Sequence, residues 1–404
     1  DLTYNPDFAQ VEVDQQVTNI DRFELFFPEK RQFFLENSDL FSGFGYHTVT
    51  PFFSRRIGLD APVLAGARLS GKLGNDLRIG FMNMTTSETS THLARNFTVA
   101  SVQKKVFARS NFGFIFVNKE YLGQPEGSNL FNRVAGFDYN LASKNNFWEG
   151  KFFYHRSFQP ENPDKQYSQG ARLEYQNKHI QVNLAQTSVG ENYRAEAGFV
   201  RRTGYNFLGP EFQYLFVPNK RVVSHGIEIE LENYFDPEYH KIEHVNTYSY
   251  QFAFQNRSNL SFGYQDSYVE LQNDFDPTHI SGYYLPAGSD YRFGGGYINY
   301  QSTTKTLFNW QAEAAKGTFY NGDIQYIQGQ LGYRFQPYVN FSLNFNYTDM
   351  ELPDPFEHTK LWLLGPKLDV TFSKNIFWTT FVQYNEQIDN MNINMRFQWR
   401  YQPV

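Results

Sequence analysis

Phe341-Ser342-Leu343-Asn344-Phe345-Asn346-Tyr347-Thr348 alternates without a slip, with every odd position apolar or aromatic and every even one polar. Period two is the mark of a β-strand whose two faces meet different surroundings. Immediately upstream, Ile327, Gly329, Leu331, Tyr333 and Phe335 alternate with Gln328, Gln330, Gly332, Arg334 and Gln336. Residues 337–340 make the turn, where Pro337 costs no ladder hydrogen bond. Near the end of the chain, Met391, Ile393, Met395, Phe397, Trp399 and Tyr401 oppose Asn392, Asn394, Arg396, Gln398, Arg400 and Gln402.

The same pattern runs backwards through the chain. Phe308, Trp310, Ala312 and Ala314 oppose Asn309, Gln311 and Glu313; Tyr248, Tyr250, Phe252 and Phe254 oppose Ser249, Gln251 and Gln255. Ile227, Ile229 and Leu231 oppose Glu228, Glu230 and Glu232; Ala171, Leu173 and Tyr175 oppose Arg172, Glu174 and Gln176. Phe137, Tyr139 and Leu141 face away from Asp138 and Asn140, and Ala67, Leu69 and Gly71 from Arg68, Ser70 and Lys72. These segments are about ten residues long, enough for a tilted strand to cross a bilayer, where soluble strands run to about five or six. Tight turns at 321–323 and 373–375 and long polar loops at 265–289 and 349–360 are expected to alternate, as short periplasmic turns and long extracellular loops do. No blade-like repeat of a soluble propeller is present.

Composition agrees once the two faces are separated. The 404 residues are 41% hydrophobic, and the mean hydropathy is −0.57, with no run near the roughly 18 apolar residues of a spanning helix. Yet 42 Phe and 28 Tyr help bring aromatics to 19%, equal to all charged residues, interleaved with polar ones along the whole chain. An apolar outer face with aromatic girdles around a polar lumen averages to such a composition. There are no cysteines, which excludes disulfides, thiol nucleophiles and thiolate metal sites. A net charge of −6 gives nucleic-acid binding no support. The chain opens at Asp1 with no initiator Met or signal peptide, and export requires one, so it reads as processed or trimmed.

Residues 1–61 differ. They lack sustained alternation, apart from one short strand expected over 8–13, and mix aromatics with both charge signs in Arg22-Phe-Glu-Leu-Phe-Phe-Pro-Glu-Lys-Arg31 and Phe33-Phe-Leu-Glu36. Leaving so many rings in water is costly, which favours a segment folded into the lumen over a periplasmic linker. With Asn5-Pro-Asp-Phe8, Phe53-Ser-Arg-Arg-Ile-Gly58 and Gly198-Phe-Val-Arg-Arg-Thr203, these blocks resemble an uncharacterised bacterial outer-membrane family, domain of unknown function 5916. The resemblance implies a long β-rich region behind the first block and, commonly, an upstream module similar to family 9 carbohydrate-binding domains. That module is missing from this sequence, and the end at Tyr401-Gln-Pro-Val404 suggests that one or two final strands are absent. The family brings no established activity.

Chemistry-bearing constellations are sparse. Glu24, Glu29 and Glu36 resemble paired glycosidase carboxylates only by proximity, and Arg22, Lys30 and Arg31 beside them make ion pairing the better account. Nine scattered His show no metal-ligand spacing. Asp274, Asp276 and His279, and Glu351 with Asp354, read as loop polarity rather than as Ca²⁺ ligands. Gly294-Gly-Gly296 lies inside a strand and marks a bulge or a close backbone approach, not a phosphate cradle.

The expected molecule is all-β: a transmembrane antiparallel β-barrel of about 18–20 strands in a bacterial outer membrane, with residues 62–404 as barrel and 1–61 as a plug-like segment. Charge on the lipid face costs a few kcal/mol near the midplane, so Arg68, Lys72, Arg172, Glu174, Glu228, Glu230, Glu232, Glu313, Arg334, Arg396 and Arg400 should line the lumen. Arg22, Glu24, Glu29, Lys30, Arg31, Glu36, Arg55 and Arg56 belong to the plug. The functional expectation is non-enzymatic, without cofactor or metal: a membrane platform or plugged pore. Its partners would be outer-membrane lipid and other outer-membrane or periplasmic proteins. A porin-like channel for saccharides or other small solutes is second, and a carbohydrate-active hydrolase a distant third. Carbohydrate binding has no support in the sequence itself.

Overall fold

The computed structural model describes residues 1–6, 13–125, 128, 130–218 and 220–401. The short strand expected over 8–13 lies, apart from Val13, outside them. Strand β1 (Leu2–Tyr4) precedes two single-turn helices, α1 (Gln32–Leu35) and α2 (Asp39–Ser42), and a short strand β2 (Val49–Thr50). Long strands then follow: β3 (Val63–Leu73), β4 (Leu77–Thr86), β5 (Arg95–Val106), β6 (Ser110–Tyr121), β7 (Phe131–Ala142), β8 (Trp148–Phe158), β9 (Tyr167–Gln176) and β10 (Ile180–Val189). After the two-residue β11 (Phe199–Val200) come β12 (Tyr205–Phe216), β13 (Val222–Phe235), β14 (Lys241–Phe254), β15 (Asn259–Glu270), β16 (Asp290–Gln301) and β17 (Phe308–Phe319). The last are β18 (Gly322–Phe335), β19 (Val339–Glu351), β20 (Thr359–Ser373), β21 (Ile376–Asn385) and β22 (Asn390–Trp399). No helix among the described residues is long and apolar enough to cross a membrane.

Twenty strands form one antiparallel sheet, a transmembrane β-barrel in which β10 pairs with β12 and each other long strand with its neighbours in sequence. The twentieth is β1, which pairs antiparallel with Ala65–Ala67 of β3, so the first few of residues 1–61 belong to the wall. Alternation sets the two faces. Phe137 is 45% exposed and Asp138 1%; Leu69 is 62% exposed and Arg68 4%. The outward face carries aromatic pairs at both ends, Tyr347–Trp362 at 4.5 Å near one rim and Tyr300–Trp310 at 4.7 Å near the other. Such a belt belongs in lipid, and the protein is located in the bacterial outer membrane.

Connections differ at the two ends. One end has the turns 74–76, 107–109, 177–179, 336–338 and 374–375; the other has loops 190–204, 271–289 and 352–358. The expected alternation is broken at 320–321, a tight turn at the long-loop end. The reason is packing. Tyr320 is buried with Phe275, Leu285, Leu352 and Phe356, so the neighbouring long loops cover this turn and supply its core. Because β3 starts at the long-loop end and β1 runs towards it, residues between them leave and re-enter the wall at that same end. The N-terminal segment is therefore topologically the first long loop.

Candidate functional site: the lumen and the segment inside it

The residues paired across β3 to β7 fix which side chains face inward. Arg68, Met82, Val99, Val117 and Val134 form one cross-strand row. All are buried, and with Met84, Phe97, Ile115 and Phe153 they pack against Phe34, Leu40, Phe41, Phe44, Val49, Phe52 and Ile57 of the N-terminal segment. The inner wall of β4–β8 thus carries an apolar patch, against the expectation that apolar faces point only to lipid. Both faces of these strands are covered, one by bilayer and one by chain. The sequence signal is the near-continuous apolar run Phe112-Gly-Phe-Ile-Phe-Val117, the pattern of a strand buried on both sides. Two wall glycines make room: a Cβ on Gly80 would lie 2.8 Å from Phe41, and one on Gly113 2.9 Å from Phe44.

Polar contacts tie the segment to the same wall. The Arg68 guanidinium donates to the carbonyls of Phe33 and Glu36 and to the carboxylates of Glu36, at 2.8 Å, and Asp1. Arg78 pairs with Asp39, and this hydrogen bond holds the Asp39 carboxyl below the usual carboxylate range. The buried Asp138 accepts the Gly45 N–H at 2.8 Å, bonds His155 Nε2 at 2.7 Å, and has Lys151 Nζ at 3.3 Å. Lys151 also donates to the Gly43 carbonyl at 2.6 Å. Gly45 sits at φ +72°, where a Cβ would come within 2.2 Å of the Val49 carbonyl, so this turn tolerates only glycine.

Of the charged residues expected in the plug, two cross to the wall: Arg22 pairs with Glu243 at 2.8 Å and Glu36 with Arg68. The others pair within the segment. Glu24 meets Arg56 at 2.8 Å, Glu29 meets Arg31 at 2.7 Å, and Lys30 and Arg55 share Asp14 at 3.2 and 2.6 Å. Burial works to raise Glu29, but bonds from Arg31 and Ser54 outweigh it and hold the carboxyl below its ordinary range. Glu24, Glu29 and Glu36 are therefore each held by a separate arginine, which is ion pairing rather than a catalytic pair.

Along the strands, the remaining charged candidates alternate with the exposed apolar positions. Glu174 takes a 2.6 Å bond from Arg172, which also donates to Asn183 at 3.0 Å. Glu230 lies directly opposite Glu211, and Glu228 opposite Gln213. Glu313 accepts from Tyr326 at 2.8 Å, Gln328 at 3.0 Å and Asn299 at 3.1 Å. Arg334 donates to the Thr304 and Thr306 carbonyls at the short-turn rim. Arg396 stands opposite Thr379, Arg400 lies 5.0 Å from the Phe377 ring, and Lys72 is exposed near the short-turn end of β3. The acidic row of β12–β13 and the basic pair at 396 and 400 occupy separate sectors. Gly295 meets Gly317 in the β16–β17 pairing, and a Cβ on Gly317 would fall 2.3 Å from Gly295 Cα, a close backbone approach.

At the long-loop end, Arg22 and Arg202 grip Glu243 from two sides, and Arg201 pairs with Asp21. The rings of Phe23, Tyr205 and Tyr234 fill the space between the guanidinium groups. Gln387 donates to the carbonyls of Asn19 and Thr278, and His279 Nε2 bonds the Asp21 carbonyl at 2.9 Å. Asp276 organises its own loop. Burial would raise it, but donors from Thr278, Ser281 and Gly282 hold it below the ordinary range. No group of three or more His, Asp or Glu placed to hold a metal exists among the described residues.

The sequence blocks that carry the family resemblance meet in space. β2 pairs with β11, Phe53 donates its N–H to the Ala197 carbonyl, Arg56 donates to Gly198 at 3.1 Å, and Phe26 stacks on Phe53 and meets Phe199 edge to face. Residues 1–65 match the family described as Domain of unknown function (DUF5916). No curated protein matches the chain. Among solved structures it is similar to the ferric-catecholate import receptor Fiu of E. coli K12, at 7% identity and TM-score 0.44, covering 85% of this chain and 66% of that one. It is also similar to OccAB1 of Acinetobacter baumannii, at 10% identity and TM-score 0.41, covering 82% of this chain and 92% of that one. The ferric yersiniabactin uptake receptor FyuA of Yersinia pestis is a third, at 10% identity and TM-score 0.36, with 83% and 59% covered. The chain spans less than two thirds of the length of Fiu and of FyuA. The twenty-stranded antiparallel sheet stands on its own ladders, independently of these neighbours.

Sequence reading missed Asp138, Lys151, His155, Arg78 and Glu243 as anchors. Each is one polar residue in a strand, and only the segment packed against it distinguishes it from any other lumenal side chain. Arg201 and Arg202 were signalled, because they stand in the 198–203 block.

Proposed function

We propose that this protein is a non-enzymatic outer-membrane pore plugged by its own first long loop, serving as a membrane platform for outer-membrane or periplasmic partners. The observation that carries this reading is the dry core between the segment and the inner wall of β4–β8. A porin lumen is wet and polar; this sector is packed like a protein interior. The anchors Asp138, Arg68 and Glu243 fasten the segment at three places in the lumen.

A second reading has its own support. In the sector of β12–β22, the inward Glu230, Gln311, Gln328, Asn392 and Asn394 are exposed, and Glu211, Glu228 and Glu313 stand near them. That surface would suit a residual water path preferring cations. Planar-bilayer recording separates the two. The plugged platform requires the intact protein to conduct little, and deletion of residues 13–58 to open a large steady conductance. A large steady conductance in the intact protein would overturn the plug and leave the cation-preferring channel.

A further inference from the structure

Where the segment crosses β9–β13, it leaves a cavity of about 220 Å³. Tyr46, His47 and Thr48 of the segment form one side. The opposite side is a continuous aromatic wall, with Tyr234 5.7 Å from Tyr205 and 4.8 Å from Phe207 between ring centroids. Arg172, Arg201 and Glu232 reach the same space. Ligand pockets combine such apolar faces with a few convergent polar groups, and drug-sized ligands occupy roughly 300–1,000 Å³, so this one takes a single-ring ligand.

The charges choose among ligands. Arg172 is already neutralised by Glu174 and Arg201 by Asp21. Each binds its acid through one terminal nitrogen, and the other carries no hydrogen bond among the described residues. Glu232 has no ion pair among them, and the one bond to its carboxylate is a long one, 3.5 Å from Tyr234 Oη. An anion would meet an unpaired carboxylate, and a cation would meet two guanidinium groups. A neutral molecule bearing several hydroxyls satisfies all of them, because each hydroxyl both donates and accepts. Vicinal hydroxyls can donate to Glu232 while hydroxyl or ring oxygens accept from Arg172 and Arg201. The less polar C–H face of the ring then lies against Tyr205, Phe207 and Tyr234.

We propose that this cavity is a binding site for one neutral pyranose-sized saccharide unit. It is open to solvent, since the Arg172 and Arg201 side chains that line it remain 45% and 36% exposed. It does not depend on the pore conducting. Because His47 and Thr48 belong to the segment, an occupant bridges segment and wall and steadies the docked state.

The test is saturation-transfer NMR and calorimetry on the intact chain in a detergent without a sugar headgroup. The probes are D-glucose, D-galactose, D-mannose and N-acetyl-D-glucosamine, with D-glucuronate and D-glucosamine as charged controls. At least one neutral sugar should bind with Kd on the order of 1 mM, the ordinary strength for so small a ligand. Glu232→Ala should weaken it at least tenfold, and Arg172→Gln similarly. The proposal is overturned if no neutral sugar binds at tens of times that concentration, or if Glu232→Ala leaves binding intact. It is also overturned if a charged control binds more tightly than its neutral parent. If a variant fails to assemble, Tyr234→Leu provides the second reading: it removes the aromatic surface without touching charge and should also abolish binding.

Discussion

Removing Glu243 tests whether the N-terminal segment is fastened or merely adjacent. Its carboxylate lies between Arg22 of the segment and Arg202 of loop 190–204, with side chains 12%, 17% and 15% exposed. Deleting one member of a buried ion pair costs about 3–5 kcal/mol, because it leaves a charge uncompensated away from water. Here two guanidinium groups lose their partner, but residual exposure to lumenal water lowers the figure to about 2–3 kcal/mol. The stacking of Arg22, Arg201 and Arg202 on Phe23 survives the change and contributes about 0.5–2 kcal/mol in its own right. Such a loss raises the locally opened population of the segment roughly 30- to 150-fold. Hydrogen exchange followed by mass spectrometry reads this directly in peptides covering residues 13–24. There Gln16 and Asn19 donate their N–H groups to Gln383 and Gln387. Glu243→Ala should speed exchange of those amides while leaving β5–β7 unchanged, and Glu243→Gln, which keeps an acceptor without the charge, should fall between. Exchange within twofold of the unmutated protein in Glu243→Ala would refute the clamp and, with it, the account of how the mouth is held.

Three further outcomes follow from the same geometry. Gly113→Val places a side chain where Phe44 packs; it should loosen the segment by about 1–3 kcal/mol without harming the strand, seen as new conductance in planar bilayers. Asp39 is held below the ordinary carboxylate range by Arg78, so its contribution is present above about pH 4 and disappears as pH falls through its lowered pKa. The Tm difference between the unmutated protein and Asp39→Asn should therefore vanish in acid; because the pair is largely exposed, the difference at neutral pH corresponds to less than about 1 kcal/mol. In the pore opened by deleting residues 13–58, combining Glu228→Gln, Glu230→Gln and Glu313→Gln should lower the ratio of cation to anion permeability, measured as a reversal-potential shift in a salt gradient. An unchanged potential would remove those carboxylates from the conduction path.

The strands, their number and their outward faces were legible in the amino-acid order, because lipid outside and water or chain inside impose a period of two wherever a strand crosses. Alternation at 341–348 needs no knowledge of any other part of the chain. What the order alone left undecided is which inner positions meet water and which meet protein. Met82, Phe97, Ile115 and Phe153 point inward like Glu228 and Gln328, and only the segment threaded from the long-loop end makes one group a dry core and leaves the other wet. Loop lengths could not show that 320–321 lies under 271–289, since burial of Tyr320 depends on strands brought side by side. The saccharide-sized cavity is farther still from the sequence: its lining comes from residues 46–48, 172, 183–187, 201, 205–207 and 232–234, chain segments that meet because the barrel curls around its own first loop.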